Sequence, residues 1–343
     1  MTTEKVLITG GTGFLGSQLV LAALRQGYHV RTTVRSKTSE EALLKTLAEQ
    51  GYPTTSQLEF AQTDLLADDG WDTAMADIDY VLSVASPVFF GKVTDESAVI
   101  EPAVAGITRI LTAADKAGVK RVVMTANFGG VGFSQFDSTR PTTEADWTDP
   151  EQPGLSVYEK SKTIAERRAW DYMHTHDTNM TFTAINPVAI FGPSLNQHVS
   201  GSFDLLKAIM NGQTKRLVNI ELNVVDVRDV VDLHLRAMTA PQAANQRFIA
   251  SADGQISFSE IATLVRTAHP ELAETITKKK MPDWLVRLAA HFSAQAKSGQ
   301  LLMTINRNVS NEKAKRLLGW RPIVSQEQAL LAAADTLIKA HLV

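Results

Sequence analysis

The chain has 343 residues, of which 44% are hydrophobic and 21% charged, a composition typical of a soluble globular protein with one large domain and an appended part, or with two domains. Its 34 Lys and Arg residues nearly balance 37 Asp and Glu residues, so the net charge of -3 implies neither nucleic acid nor an acidic membrane surface as a partner. Because the chain has no cysteine, disulfides, thiolate metal sites and cysteine nucleophiles are excluded, and its eight scattered histidines predict no metal site.

The first half of the chain alternates short β-branched runs with helical patterns. Strands are predicted at residues 5–9, 29–34, 58–62, 80–84, 121–125 and 181–186. Helices are predicted between them at residues 13–26, 40–49, 98–116 and 157–174. This alternation predicts an α/β fold of Rossmann type, in which helices cover both faces of a doubly wound parallel sheet.

The second half is less regular, with further strands predicted at residues 223–227 and 246–250. Helices are predicted at residues 229–238, 257–268, 283–297 and 310–318. We predict a first domain of residues 1–186 plus about 217–240, and a smaller, discontinuous domain of about 187–216 plus 241–343.

Residues 1–5 are polar and no segment approaches the ~20 apolar residues that span a bilayer. We therefore expect a cytoplasmic protein with no membrane partner. The apolar stripe of Trp284, Leu285, Leu288 and Phe292 is interpreted as a core or subunit contact rather than a membrane anchor, and the lysine run 278–280 as solvated surface.

A glycine-rich turn, Gly11-Thr12-Gly13-Phe14-Leu15-Gly16, fits G-x-G-x-x-G between a predicted strand and a predicted helix. The early glycines allow a tight turn that a pyrophosphate can approach, and the last lets the helix pack on the sheet. Free N–H groups at the helix N-terminus stabilise phosphate. The first domain is therefore predicted to bind a dinucleotide, and the second the substrate; the alternative is an ordinary glycine-rich turn. The predicted contacts are Gly10, Thr12, Gly13, Phe14, Leu15 and Gly16.

The end of the second predicted strand favours NADP(H) over NAD(H). An NAD site usually has an acidic residue here for the ribose 2′-OH, whereas this region, residues 30–37, has three cations and no acid. Arg35 is the best candidate for a 2′-phosphate, since a guanidinium binds phosphate in a bidentate fork, with Ser36 and Lys37 in support. The alternative is that these cations are solvated surface residues.

Tyr158 and Lys162 lie four residues apart on one face of a predicted helix. A nearby ammonium favours the phenolate and brings the pKa of tyrosine, ordinarily near ~10, towards the working range. Tyr158 can then donate a proton to a carbonyl oxygen as hydride arrives at its carbon. By itself the spacing also fits an interfacial tyrosine beside a solvated lysine, but behind the glycine turn it predicts a hydride-transferring enzyme.

Several segments, in order, carry a family resemblance. They are Thr9-Gly10-Gly11-Thr12-Gly13-Phe14-Leu15-Gly16, Val34-Arg35, Asp64-Leu65, Ala85-Ser86-Pro87, Tyr158 with Lys162, Asn186-Pro187-Val188, Val225-Asp226-Val227-Arg228-Asp229 and Gly319-Trp320-Arg321-Pro322. Over nearly its whole length the chain resembles the extended short-chain dehydrogenases/reductases. The most similar group includes dihydroflavonol reductase, cinnamoyl-CoA reductase and aldehyde and ketone reductases. Such enzymes occur as monomers and homodimers.

The resemblance implies roles for individual residues. Asp64 and Leu65 would lie at the adenine, and Ala85 and Ser86 would line the cofactor after the fourth strand. Pro187 and Val188 would hold the nicotinamide so that one face, carrying the pro-S hydride, meets the substrate. Arg35 matches the 2′-phosphate ligand of the family.

The chain departs from the family at the catalytic serine that usually follows the fifth strand. Asn127 occupies the aligned position, after Thr125 and Ala126. An asparagine amide is a neutral hydrogen-bond donor and can also orient a carbonyl. We therefore predict Asn127 as the carbonyl-orienting group, with Thr125 as the second choice.

Aromatic residues predicted to border the substrate are Phe89 with Phe90, Phe128, Phe133 and Phe203. Without an arginine cluster to bind a nucleotide diphosphate, an apolar or aromatic carbonyl compound fits better than a sugar nucleotide. The glycine-, proline- and polar-rich segment 129–154 is expected to form a mobile rim. The predicted function is NADPH-dependent reduction of an aldehyde or ketone to an alcohol. The alternatives are a nucleotide-sugar epimerase or dehydratase, and a non-catalytic NADP-sensing protein.

Overall fold

A computed structural model describes residues 4–53, 56–86 and 95–343. Its strands are β1 (Lys5–Ile8), β2 (His29–Val34), β3 (Leu58–Gln62), β4 (Tyr80–Ser83), β5 (Arg121–Thr125), β6 (Thr181–Pro187), β7 (Ala189–Phe191), β8 (Glu221–Leu222), β9 (Val224–Asp226), β10 (Gln246–Ala250) and β11 (Ile256–Ser257). The main sheet has seven strands, all parallel, in the order β10-β6-β5-β4-β1-β2-β3. The chain order reverses between β1 and β4, and a doubly wound sheet binds its ligands at such a switch point. The predicted fold class is confirmed.

The helices in the described residues are α1 (Phe14–Arg25), α2 (Lys37–Glu49), α3 (Trp71–Met75), α4 (Ser97–Lys116), α5 (Gly129–Gly132), α6 (Val157–Thr175), α7 (Phe203–Met210), α8 (Val227–Thr239), α9 (Phe258–Ala268), α10 (Asp283–Ala289), α11 (Ala294–Leu302), α12 (Glu312–Leu318) and α13 (Gln326–Lys339). The single helix predicted at 283–297 is two helices, α10 and α11. By length and composition alone, α4 could cross a membrane, which contradicts the expectation that no segment is long and apolar enough to do so. In this structure α4 packs against α6.

Hydrophobic residues fill both faces of the sheet because successive side chains on a strand point to opposite sides. On β1, Val6 and Ile8 belong to one cluster, together with α1 and α8, whereas Leu7 belongs to the other, with α4 and α6. Trp320 and the inner face of α13 join the first cluster. The C-terminal elements therefore share one core with the sheet.

The structure differs from the predicted domain division at β10, which the sequence analysis places in the smaller, discontinuous domain. Its five residues pair in parallel with β6 and form an edge of the main sheet. Outside that sheet, β7 pairs with β9 and β8 pairs with β11. Residues 246–250 therefore belong to the main sheet.

Candidate active site

The glycine turn connects β1 to α1 beside the end of β4. Gly10 has a φ of +70°, and a Cβ there would lie 3.0 Å from the Cβ of Ala85. A Cβ on Gly16 would lie 2.1 Å from the Gly10 carbonyl oxygen, so α1 starts directly against the turn. The Thr9 hydroxyl accepts hydrogen bonds from the Val84 and Ala85 amides, both at 2.9 Å, and joins the ends of β1 and β4.

The N-terminus of α1 has the features of a phosphate-binding helix end. Its N-cap residue, Gly13, provides no side-chain cap, and the first turn contains no acid. The first N–H groups of a helix have no partner within the helix and attract anions. Phe14 and Leu15 are buried, at 5% and 6% exposure, so they would contact a pyrophosphate through their backbone. Thr12 also lies in the turn, and its carbonyl accepts from the Asn196 side chain at 3.5 Å. The residues present therefore fit a dinucleotide.

Arg35 and Lys37 lie exposed just after β2, as an adenosine-ribose site would require. Ser36 caps α2, and Lys37 forms an ion pair with Glu40 at 2.5 Å. The third cation of this region, Arg31, already has protein partners. It forms an ion pair with Glu59 at 2.5 Å and donates to the carbonyls of residues 73, 74 and 76. Arg35 is therefore the cation best placed for a 2′-phosphate.

Other residues assigned to the cofactor line the same edge of the sheet. Asp64 is exposed after β3 and its carboxylate accepts from the Leu66 amide at 2.9 Å. A cleft between the sheet and α4 and α6 is lined by Leu65, Ala85, Ser86, Thr125 and Lys162, among others. Pro187 ends β6, and its carbonyl accepts from the Phe128 amide at 3.0 Å, while Val188 is 8% exposed.

Tyr158 lies in the first turn of α6, whose start is fixed by a reciprocal capping box between Ser156 and Glu159. It is 51% exposed, yet protein surrounds its hydroxyl enough for desolvation to raise the pKa of the phenol. The Glu159 carboxylate raises that pKa further, and a hydrogen bond from Asn127 lowers it. The pKa of Tyr158 is thus raised, and not brought down by Lys162 as the sequence predicted. Tyr158 is therefore a phenol, able to donate a proton, at neutral pH.

Asn127 is held in one orientation by its neighbours. The Gly129 amide donates to its side-chain oxygen at 2.6 Å. Because a backbone N–H only donates, the contacted atom must be Oδ1, which leaves the Nδ2 amide group for Tyr158. Asn127 and Tyr158 are close enough for the amide to lower the pKa of the phenol, and the predicted role of Asn127 in orienting the carbonyl stays a prediction.

Lys162 lies one helical turn beyond Tyr158 and is 7% exposed. Its Nζ is 3.5 Å from the carbonyl oxygen of Thr125, at the end of β5. Burial lowers the pKa of Lys162 from 10.5 to about 8, and the Glu166 carboxylate opposes this shift in part. The ammonium thus lies in the cleft lined by the residues predicted to bind the cofactor, and it loses solvation free energy there.

Thr125 does not fit the catalytic role given to it as second choice. Its hydroxyl is 2.8 Å from Nε2 of His234, a fully buried residue on α8. His234 Nδ1 lies 2.8 Å from the Val230 carbonyl and must donate to it, so Nε2 accepts from the threonine. Burial lowers the pKa of His234 to about 4 and keeps the ring neutral. Only the Thr125 carbonyl faces Lys162.

A buried ion pair behind Lys162 was missed from the sequence. Glu166 Oε1 accepts from Arg247 Nε at 2.7 Å, and the side chains are 1% and 7% exposed. Asn186 Nδ2 donates to Glu166 Oε2 at 2.7 Å and to the Asn127 carbonyl at 3.2 Å. The spacing of Tyr158, Lys162 and Glu166, four residues each, is the signal that could have found this network.

The network also anchors the segment 129–154. Arg247 Nη1 donates to the carbonyls of Glu144 and Asp146, both at 2.9 Å, and its guanidinium stacks 3.6 Å from the Trp147 ring centroid. Thr142 forms a β-bridge with Val309. The expectation of a mobile rim is therefore replaced by a segment with many tertiary contacts.

The predicted substrate aromatics separate into three groups. Phe89 and Phe90 lie outside the described residues. Phe133 is half-buried and contacts buried Phe128 edge-to-face, with ring centroids 6.2 Å apart. Phe203 is fully buried and packs edge-to-face on Phe14 at 5.2 Å, so the structure assigns it to the core and not to a substrate pocket.

Known proteins resemble this chain in sequence and in fold. The model of the NAD dependent epimerase/dehydratase family matches residues 6–252. The ketoreductase azaE of Aspergillus niger is 32% identical over 299 residues, covering 82% of this chain and 87% of that protein. Tetraketide alpha-pyrone reductase 2 of Arabidopsis thaliana is 31% identical over 274 residues, covering 78% and 83%. Yeast methylglyoxal/isovaleraldehyde reductase Gre2, solved with NADPH, matches the fold with a TM-score of 0.80 at 24% identity, covering 98% of this chain and 99% of that one.

Proposed function

Because the chain belongs to the NAD dependent epimerase/dehydratase family, that of the extended short-chain dehydrogenases/reductases, we propose that it is an NADPH-dependent carbonyl reductase. Its substrate would be an aldehyde or ketone, apolar or aromatic, and its product the alcohol. The observation that carries the proposal is the position of Lys162, which is buried one helical turn beyond Tyr158 and lines the same cleft as Leu65, Ala85 and Ser86. The names of the relatives, a ketoreductase and an alpha-pyrone reductase, support the same class.

The residues present can carry out the proton half of the reaction. NADPH, when bound, supplies the hydride. Tyr158 donates its phenolic proton to the carbonyl oxygen of the substrate and becomes a phenolate. Asn127 Nδ2 and the ammonium of Lys162 stabilise that charge, and the second N–H of the Asn127 amide orients the carbonyl.

The proposed cofactor preference follows from the residues after β2. Gly10, Gly16 and the uncapped start of α1 would hold the pyrophosphate, while Arg35 would bind the 2′-phosphate. Residues 30–37 contain no carboxylate to accept the ribose 2′-OH of NAD. This absence also disfavours a nucleotide-sugar epimerase, which commonly holds NAD tightly.

The test is to follow oxidation of NADPH, with NADH in parallel, against aromatic and aliphatic aldehydes, ketones and ketoesters. Turnover with NADPH that is lost in Tyr158→Phe is the expected result, and an unchanged melting temperature would show that the variant is folded. NADPH binding without oxidation on any carbonyl would favour the sensor. Co-purification of NAD would favour an epimerase.

A further inference from the structure

An apolar face on α10 and the turn after it is exposed to solvent. Trp284, Leu288 and Phe292 are spaced four residues apart and are 63%, 54% and 86% exposed. Val286, on the opposite side of α10, is buried at 7% exposure and faces α11 near Gly299. We call the three exposed residues the α10 face. Their exposure contradicts the interpretation of this stripe as core packing.

Positive charge predominates in the segment that carries the α10 face. Residues 278–297 contain five Lys and Arg residues and one acid, Asp283, in a chain whose net charge is -3. The five cations are all exposed: Lys278, Lys279, Lys280, Arg287 and Lys297. Within the part of the chain that the structure describes, none has a carboxylate within ion-pairing distance, since the salt bridges there involve other residues. The surface therefore combines large apolar side chains with unneutralised positive charge.

This combination distinguishes between possible partners. A second copy related by a two-fold axis would bring the same cations of both chains together, which is unfavourable. Helices that carry Trp, Leu and Phe on one face and Lys and Arg beside them insert shallowly into the headgroup region of anionic bilayers. Each cation near such a surface adds to the attraction.

We infer that the α10 face is a docking site for an anionic phospholipid bilayer. Trp284, Leu288 and Phe292 enter the headgroup region, and the flanking lysines and arginine contact lipid phosphates and carboxylates. This inference replaces the expectation, drawn from the overall charge, that the protein has no membrane partner, because the local charge of the surface differs in sign from that of the whole chain.

The α10 face lies on the side of α10 away from α11, and α11 in turn packs against the chain before α6. A Cβ on Gly154 would lie 2.8 Å from the carbonyl oxygen of Lys297 and 3.1 Å from Leu301, so α11 packs tightly against the chain two residues before the cap of α6.

The experiment is co-sedimentation of the full chain with vesicles of phosphatidylcholine alone or with about one third phosphatidylserine. We expect roughly 10-fold tighter binding to the anionic vesicles, weakened by salt, and a roughly 10-fold loss in the double variant Trp284→Ser/Phe292→Ser. Lys279→Glu/Lys280→Glu should remove the preference for phosphatidylserine. Ile323→Ser, at a residue 82% exposed elsewhere on the surface, is the matched control and should bind as the parent does.

Melting temperatures show whether each variant is folded. Equal binding to neutral and anionic vesicles, or no binding to either, would overturn the inference. So would a dimer that Trp284→Ser/Phe292→Ser converts to a monomer, because the face would then be covered by a second copy. Binding of a single-stranded oligonucleotide in place of vesicles, lost in the lysine variant, would identify nucleic acid as the partner and also contradict it.

Discussion

At the scale of single residues, Asn127 illustrates how one backbone contact determines the chemistry of a side chain. The Gly129 amide fixes Oδ1, and the amide nitrogen is therefore presented to Tyr158. Asn127→Ala should lower kcat about 10²-fold, the cost of removing one donor from a site where negative charge develops. It should also raise the pKa of Tyr158, because the hydrogen bond from Asn127 lowers it. The measurement is kcat against pH with NADPH and the best carbonyl substrate.

Asn127→Ser is the matched variant, since serine stands at the aligned position in the family that the chain resembles. It should retain much more activity than Asn127→Ala. If both variants turned over substrate as fast as the parent, the orienting role of Asn127 would be wrong.

Burial of the Lys162 ammonium should lower the free energy of unfolding, although the proposed reaction uses this group. Its folded-state pKa of about 8 lies below the ordinary 10.5, so the unfolded chain binds more protons between these values. The lysine's contribution to the free energy of unfolding is therefore most unfavourable below about pH 8 and improves as the pH rises towards about 10. Lys162→Met should stabilise the protein near neutral pH by at most about 3 kcal/mol and abolish turnover.

Urea unfolding at several pH values tests this expectation. The stability difference between Lys162→Met and the parent should shrink as the pH rises. Lys45→Met, at a lysine whose side chain is 80% exposed, is the control and should show no such trend. A variant less stable than the parent near neutral pH would contradict the predicted cost of burying the ammonium.

At the scale of elements, the buried pair of Glu166 and Arg247 joins α6 to β10 and, through Asn186, to the turn that carries Asn127. Removing one member of such a pair leaves an uncompensated buried charge. Arg247→Met should therefore lower the free energy of unfolding by about 3–5 kcal/mol, whereas the double variant Glu166→Met/Arg247→Met should recover most of the loss. A double-mutant cycle by urea unfolding measures the coupling.

The same cycle distinguishes a purely structural role from a positioning role. Because Asn186 bridges Glu166 and the Asn127 carbonyl, the double variant should remain low in kcat even where stability is restored, with little change in KM. Full recovery of kcat together with stability would show that the network does not position Asn127.

At the scale of the whole molecule, the local sequence pattern predicted where the strands of the sheet lie, but it did not predict which distant segments contact each other. β2, β3, β5 and β10 begin and end at the residues that the sequence predicted. The place of β10 in the main sheet depends on its pairing with β6, whose partner residues lie 63 positions earlier, and no local pattern contains this pairing. For the same reason the burial of Phe203 and the contact of Thr125 with His234 were not foreseen, since each depends on a helix from a distant part of the chain.

Cofactor binding should stabilise the whole molecule, because the site is assembled from the ends of several strands and is absent from the unfolded chain. A ligand at a hundredfold excess over its Kd adds about 2.7 kcal/mol to the free energy of unfolding. NADPH should therefore raise the melting temperature by a few degrees, and NADH at the same concentration by less. Arg35→Ser should abolish the difference between the two cofactors, because only the 2′-phosphate distinguishes them. Lys45→Ser, on neighbouring α2, is the control and should leave the preference intact. Equal stabilisation of the parent by NADH and NADPH would contradict the role of Arg35 while leaving the proton chemistry of Tyr158 to be judged by turnover.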